Sequence, residues 1–259
     1  MAGYAEQLVV PLTSEVEMPL LGFGTWRATG ESGYRAMRVA LDAGYRHVDT
    51  ATMYGNEAQV GRAIRDSGVP REDIFVTTKL PPERAGREPE TMAASLAALG
   101  TDYVDLWLVH WPPYGGDPGL PTWREFIAQR DKGAARAIGV SNYGVGQIDE
   151  LADATGVTPV VNQVPWAPGR HDRRSLDEHR ARGIVVEGYS PFKNTDLDDP
   201  TLLRIARAHQ VTAAQVVLRW HVQHGIVVIP KSVTPQRITT NADIFSFELS
   251  PEEMAAIDA

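Results

Sequence analysis

The sequence predicts an α/β protein, a single (β/α)8 barrel over residues 1–259, and three observations predict it. The chain has the roughly 250 residues such a barrel needs. Its apolar, β-branched runs alternate with helical patterns, and that alternation demands a parallel sheet. Glycines at 44, 68, 100, 133, 156, 183 and 225 stand where a helical pattern stops and the next apolar run is about to begin. A residue that accepts the left-handed conformation is what closes a helix there.

The elements follow in order. LVVPLTSEVEM near the start reads as a short hairpin plugging the amino-terminal mouth. PLLGFGTW is the first barrel strand, and HVDTA, IFVTTKL, VDLWLVHW, ARAIGVS, PVVNQV, IVVEGYS and IVVIPKS complete the eight. Between them Tyr34, Met37 and Leu41 share one helical face, as do Met92, Leu96 and Leu99. Asp199-Pro200 reads as an N-cap with a first-turn proline. PPERAGREP, PPYGGDPGLP and PFKNTDLDD all follow strands, which puts them on the carboxyl face where barrel active sites are built. LSPEEMAAIDA closes the chain with a short tail.

Composition excludes several functions. With 25 basic and 33 acidic residues the net charge is −8, and no long basic patch offsets the repulsion of nucleic acid or anionic membranes. Apolar runs such as Ile226 to Ile229 are too short to span a bilayer. No secretory signal is visible in MAGYAEQL, so a cytoplasmic protein is expected. The absence of cysteine excludes disulfides and thiol catalysis. The seven histidines show no metal-ligand spacing, and no metal is expected.

Four polar residues end or follow three apolar runs: Asp49 and Tyr54 after HVD, Lys79 in IFVTTKL and His110 in VDLWLVH. Singly, each has a structural reading: the histidine satisfies a carbonyl, the lysine snorkels to solvent, the aspartate caps a turn. Together they lie at the carboxyl ends of neighbouring strands, and that coincidence points to chemistry. Hydride arriving at a carbonyl carbon requires a proton for the oxygen and donors for its developing charge. Tyr54 would supply the proton, with its phenol favoured in the ionised form by the Lys79 ammonium; Asp49 would hold Lys79, and His110 would donate to the substrate oxygen. His47 opens its strand and Asp105 lies near the start of its own, so both read as structural.

DTATMYGNE, TTKL, LVHWP, IGVSN, VNQVPW, YSP and IPKSVTPQRI, in this order and spacing, resemble the aldo-keto reductases, with bacterial members of the 2,5-diketogluconate reductase type among them. The resemblance runs from about Met18 to the end. It implies a barrel that binds NADPH/NADP+ in extended form, with Asp49, Tyr54, Lys79 and His110 as the catalytic tetrad. It implies further that Ser141, Asn142 and Gln163 hold the nicotinamide carboxamide, that Tyr189 stacks on the ring, and that Ser190, Pro191 and Phe192 follow the pyrophosphate. Lys231, Ser232, Val233 and Arg237 would surround the 2′-phosphate, with Asn241 near the adenine. Lys231 and Arg237 form a basic pair beside a helix start, which by itself suits an anion.

Three departures from the family pattern stand out: Thr240 where relatives often carry Glu or Gln, Pro81-Pro82 on the rim after TTKL, and the short tail. Trp26 and Trp111 match pocket positions, with Tyr114 beside them, and favour small hydrophobic aldehydes and ketones. A keto sugar acid would call on Arg84 or Arg87. The sequence thus predicts an NADPH-dependent carbonyl reductase, a monomer without nucleic-acid or membrane partners. The alternatives are a catalytically weak NADPH-binding sensor or partner subunit, and a sugar-phosphate isomerase. The complete tetrad argues against the first, and YSPFKN in place of a glycine-rich phosphate loop argues against the second.

Overall fold

The computed structural model describes residues 8–259. A two-stranded antiparallel hairpin, β1 (Val9–Pro11) and β2 (Glu17–Pro19), precedes eight parallel strands: β3 (Phe23–Gly24), β4 (His47–Asp49), β5 (Phe75–Leu80), β6 (Val104–Val109), β7 (Ala135–Ser141), β8 (Val161–Pro165), β9 (Val185–Tyr189) and β10 (Val227–Val228). They neighbour one another in chain order. The sheet closes on itself: Gly22 N–H donates to the Val228 carbonyl at 2.9 Å, Val228 N–H to Leu20 at 2.8 Å and Gly24 N–H to Pro230 at 3.1 Å. All eight predicted strands are present, in a closed barrel. Glycine is required where β3 meets β10, because a Cβ on Gly24 would stand 2.9 Å from the Ile229 carbonyl oxygen.

The helices of the outer ring are α1 (Gly30–Asp42), α2 (Glu57–Ser67), α3 (Glu88–Leu99), α4 (Leu120–Asp131), α5 (Val145–Thr155), α6 (Arg173–Arg180), α7 (Pro200–His209), α8 (Ala213–Gln223), α9 (Pro235–Ala242) and α10 (Pro251–Asp258). All seven helix-closing glycines adopt positive φ, between 64° and 96°. The Asp199 cap forms as predicted, its Oδ1 accepting from Thr201 N–H at 2.8 Å and Leu202 N–H at 3.1 Å.

Two apolar clusters hold these layers together. The larger runs from the hairpin residues Leu12, Val16 and Met18 through the strands to the inner faces of α1 to α5. Trp107 on β6 lies flat against Phe126 of α4, ring centroids 3.7 Å apart. The smaller, around Trp166, Ile205, Trp220 and Ile257, fastens α7, α8 and α10 to the barrel. Burial on this scale stabilises by roughly 25 cal/mol per Å² of apolar surface removed from water, and it leaves the strand ends as rigid posts for the loops.

Candidate active site

Strand register brings the polar residues together. Asp49 of β4 pairs with Thr77 of β5, and Lys79, two residues on, faces the same way. Lys79 pairs with Leu108 of β6, so His110, two beyond Leu108, projects from the same face. Across the barrel Ser141 pairs with Gln163, and Gln163 with Glu187.

The centre is an ion pair sealed from water. Lys79, 0% exposed, donates to both Asp49 oxygens at 2.7 Å and to the Thr50 carbonyl at 2.8 Å. Its ammonium therefore spends all three protons on protein acceptors. Burial is the largest single influence and works against the charge, but Asp49, Tyr54 and Glu187 together outweigh it and hold Lys79 above the usual lysine range. Asp49 takes a further bond from Gln163 Nε2 at 2.8 Å.

Tyr54 reaches this pair from the short turn after β4, with Lys79 Nζ 5.1 Å from its ring centroid. The turn is stapled in place. Buried Asn56 donates to the Thr25 and Ala28 carbonyls at 2.9 and 3.0 Å and accepts from Thr50 Oγ1 at 2.7 Å. Thr52 Oγ1 donates to the Lys79 carbonyl at 3.0 Å, and Glu57 accepts from Thr78 Oγ1 at 2.6 Å. The His110 ring stands edge-on to Tyr54, centroids 5.8 Å apart. Burial, and then the Lys79 charge, hold His110 down at about 3, so its imidazole is neutral and its one N–H can serve as a donor. Its buried Nδ1 has no hydrogen-bond partner among the described residues.

One expectation is corrected. From sequence the Lys79 ammonium is expected to lower the Tyr54 phenol, whereas in the fold Tyr54 lies above the ordinary tyrosine value. Burial penalises the phenolate by more than Lys79 favours it, and Asp49 adds to the penalty. The phenol is held in its protonated form.

The residues assigned to a nicotinamide gather beside this centre. Asn142 donates to Ser141 Oγ at 2.9 Å and to the His110 carbonyl at 3.1 Å, and accepts from the Tyr189 hydroxyl at 2.9 Å. Ser141 Oγ in turn donates to the Gln163 carbonyl at 2.8 Å. Asn142 and Ser190 hold φ of 64° and 56°, a conformation that costs a non-glycine residue about 1–3 kcal/mol and concentrates at functional sites. Pro191 is buried and Phe192 half-buried against the core. Past β10, Lys231 and Val233 are exposed and Ser232 half-exposed, just before α9, whose first turn carries Arg237. The Thr234 side chain makes no capping bond, so the positive end of α9 faces outward beside these cations, as an anionic phosphate requires. Asn241 is buried on the same helix. These donors and cations fit an extended dinucleotide.

Trp26 and Trp111 stand 55% and 46% exposed on the rim, and Arg27 stacks over Trp26 with φ of 59°. The Tyr114 side chain lies outside the described residues. Arg84 and Arg87 are exposed on the loop after β5. Three residues escape sequence reasoning: Met53, an exposed apolar side chain beside Tyr54, Asn56, and Glu187, buried in the barrel. Glu187 had a signal, since an acid inside the apolar run IVVEGYS has no water to turn to.

The model of the aldo/keto reductase family matches residues 20–259. The chain belongs to this family. Glyoxal reductase of Bacillus subtilis is 44% identical over 255 residues, covering 96% of this chain and 91% of the relative. The crystal structure of an aldo/keto reductase from Brucella melitensis superposes with a TM-score of 0.94 at 43% identity, covering 98% of this chain and 99% of the other. A Bombyx mori aldo-keto reductase solved in complex with NADP superposes at 0.92 with 35% identity, covering 98% and 92%. The family is one of oxidoreductases, and the aldo-keto reductase chain described here is an enzyme of that class.

Proposed function

We propose that this enzyme is an NADPH-dependent carbonyl reductase in which Tyr54 gives its proton to the substrate oxygen. When bound, NADPH supplies the hydride that reaches the carbonyl carbon. The observation that carries the reading is the sealed Asp49–Lys79 pair set against Tyr54 and a neutral His110. His110 orients the carbonyl oxygen by donating an N–H. Tyr54 protonates that oxygen as charge develops on it, and the fixed Lys79 ammonium stabilises the phenolate left behind. Asp49 keeps Lys79 charged and in place.

Ser141, Asn142, Gln163 and Tyr189 hold the nicotinamide end of the cofactor; Ser190, Pro191 and Phe192 follow its pyrophosphate; Lys231, Ser232, Val233, Arg237 and Asn241 hold its adenosine end. Trp26, Met53 and Trp111 offer an apolar rim suited to small hydrophobic aldehydes and ketones, and the glyoxal reductase relative supports small aldehydes. Residues 1–259 act as one barrel domain.

The test follows NADPH absorbance with a reactive aromatic aldehyde, comparing the wild type with Tyr54→Phe. Turnover is expected to fall by about 10²- to 10⁴-fold in the variant, with NADPH binding unchanged by fluorescence titration. Binding without turnover in the wild type would favour a sensor or partner subunit instead.

A further inference from the structure

Glu187 of β9 is 0% exposed inside the barrel, and neither of its carboxyl oxygens has a hydrogen-bond partner among the described residues. The groups packed around it come from four strands and the Tyr54 turn. On β8, Gln163 is its register partner; that amide gives its 2.8 Å bond to Asp49, and what it offers Glu187 eases the charge by less than burial and Asp49 oppose it. On β10, its register partner is the apolar Val227. On β4, His47 Nε2 stands 3.7 Å from Oε1, beyond hydrogen-bond reach, and is engaged instead with Thr77 Oγ1 at 3.1 Å. Burial, followed by the Lys79 charge, holds His47 at about 3, so it is no cation. Asp49, Lys79 and Tyr54 complete the charged and titratable surroundings. Lys79 has no proton to offer, because all three go to Asp49 and Thr50.

An ionised carboxylate in such a place, with no well-formed hydrogen bond and no paired cation, is the costly case of a buried charge. The group escapes the cost by keeping its proton. We propose that Glu187 is held as a neutral carboxylic acid beside the Asp49–Lys79 pair, and that its ionisation sets how far into alkaline solution Tyr54 keeps its proton. Burial first, and the Asp49 charge second, push Glu187 up to about 8, which agrees with the geometry.

Glu187 is thus a positioning residue, acting through the Lys79 centre. Near neutrality Lys79 answers to one carboxylate. Once Glu187 ionises, its charge raises the proton affinity of both Lys79 and Tyr54. Reduction, which needs the Tyr54 hydroxyl, persists to higher pH than it would without this acid, while alcohol oxidation, which needs the phenolate, is held back. This consequence rests on the reading of Tyr54 as proton donor.

The experiment compares the wild type with Glu187→Gln, an uncharged isostere, in two readouts. The first is thermal unfolding without cofactor from about pH 5 to about pH 9. Folded Glu187 keeps a proton that the unfolded chain has lost, so its contribution to stability declines as pH rises to about 8. The midpoint of the Gln variant is therefore expected to gain on the wild type across that window and to run parallel above it. The second readout is turnover in both directions from about pH 6 to about pH 10. Equal rates are expected near neutrality. In the alkaline range the Gln variant should lose reduction several-fold relative to the wild type and gain oxidation.

Parallel unfolding midpoints throughout would overturn the neutral acid. Diverging midpoints with superposed pH–rate profiles would overturn the coupling to Tyr54. If Tyr54→Phe kept full activity, the proton-donor reading would fall while the unfolding comparison still decided the state of Glu187. Glu187→Met, unbranched and uncharged, asks the same question of packing; failure of both variants to fold would show that the barrel needs the carboxylate and overturn the proposal.

Discussion

Two buried aspartates at opposite mouths of the barrel use the same contacts for different ends. At the amino-terminal mouth Asp105 accepts from Arg71 at 2.8 Å, Arg136 at 2.9 Å and the Val76 amide at 2.9 Å. At the carboxyl mouth Asp49 accepts from Lys79 at 2.7 Å and Gln163 at 2.8 Å. The two differ in where the positive charge leads. The Arg71 and Arg136 side chains are 20% and 41% exposed, so water screens them. The Lys79 side chain is 0% exposed, and its charge, unscreened by water and opposed only by Asp49, acts on Tyr54, His110 and Glu187. An ion pair that reaches solvent is a brace. Sealed among titratable groups, the same pair shifts the proton affinity of its neighbours.

Variants at the two mouths break or sharpen this contrast. The largest effect on stability is expected from Asp105→Ala, which strands two guanidinium groups and the Val76 amide. The loss should be about 2–4 kcal/mol by urea unfolding, moderated because both arginines can turn to water, with turnover per folded molecule unchanged. Asn56→Ala removes the staple of the Tyr54 turn, leaves the Ala28 carbonyl bare and leaves the Thr25 carbonyl with only the Ala28 amide. It should cost about 2–3 kcal/mol and, unlike the first variant, also lower turnover. The smallest effect concerns His110, whose proton affinity is depressed by burial from 6.5 to about 3. Below pH 6.5 the unfolded chain takes up a proton there that the folded chain refuses, so stability falls with falling pH. His110→Gln should spare about 2 kcal/mol of the loss between neutrality and about pH 5 in unfolding followed at each pH.

Much of this contrast was legible in the sequence, and the rest was hidden for physical reasons. Strand alternation and glycine punctuation are local signals, so the eight strands and the helix ends could be read directly. His47 and Asp105 could be set aside because each falls early in its strand. Asp49, Lys79 and His110 could be grouped because strand ends converge in a barrel. Burial is collective and could not be read in this way. The direction of the Tyr54 shift depends on how much protein covers the ring, against which the Lys79 charge loses. The isolation of Glu187 depends on where Gln163 and Lys79 aim their donors, which residue order does not encode. The three bonds of Asn56 to Thr25, Ala28 and Thr50 join segments whose approach only the closed fold defines.

The seam of the barrel carries a kinetic consequence. The backbone bonds from Gly22 to Val228 and from Gly24 to Pro230 join positions about 200 residues apart, through strands only two residues long. Loop-closure entropy for such remote partners must be met before any contact rewards it, so the seam belongs to the slow, high-contact-order part of folding. Amide hydrogen exchange at Gly22 and Gly24 should then report the earliest opening of the native sheet. Lys231 and Arg237, proposed to grip the nucleotide, follow directly on the far side of that seam, and Trp26 lies on the near side. A dinucleotide laid across both would act as a clasp, adding about 2.7 kcal/mol at a concentration one hundred times its dissociation constant and slowing exchange first where the first and last barrel strands meet.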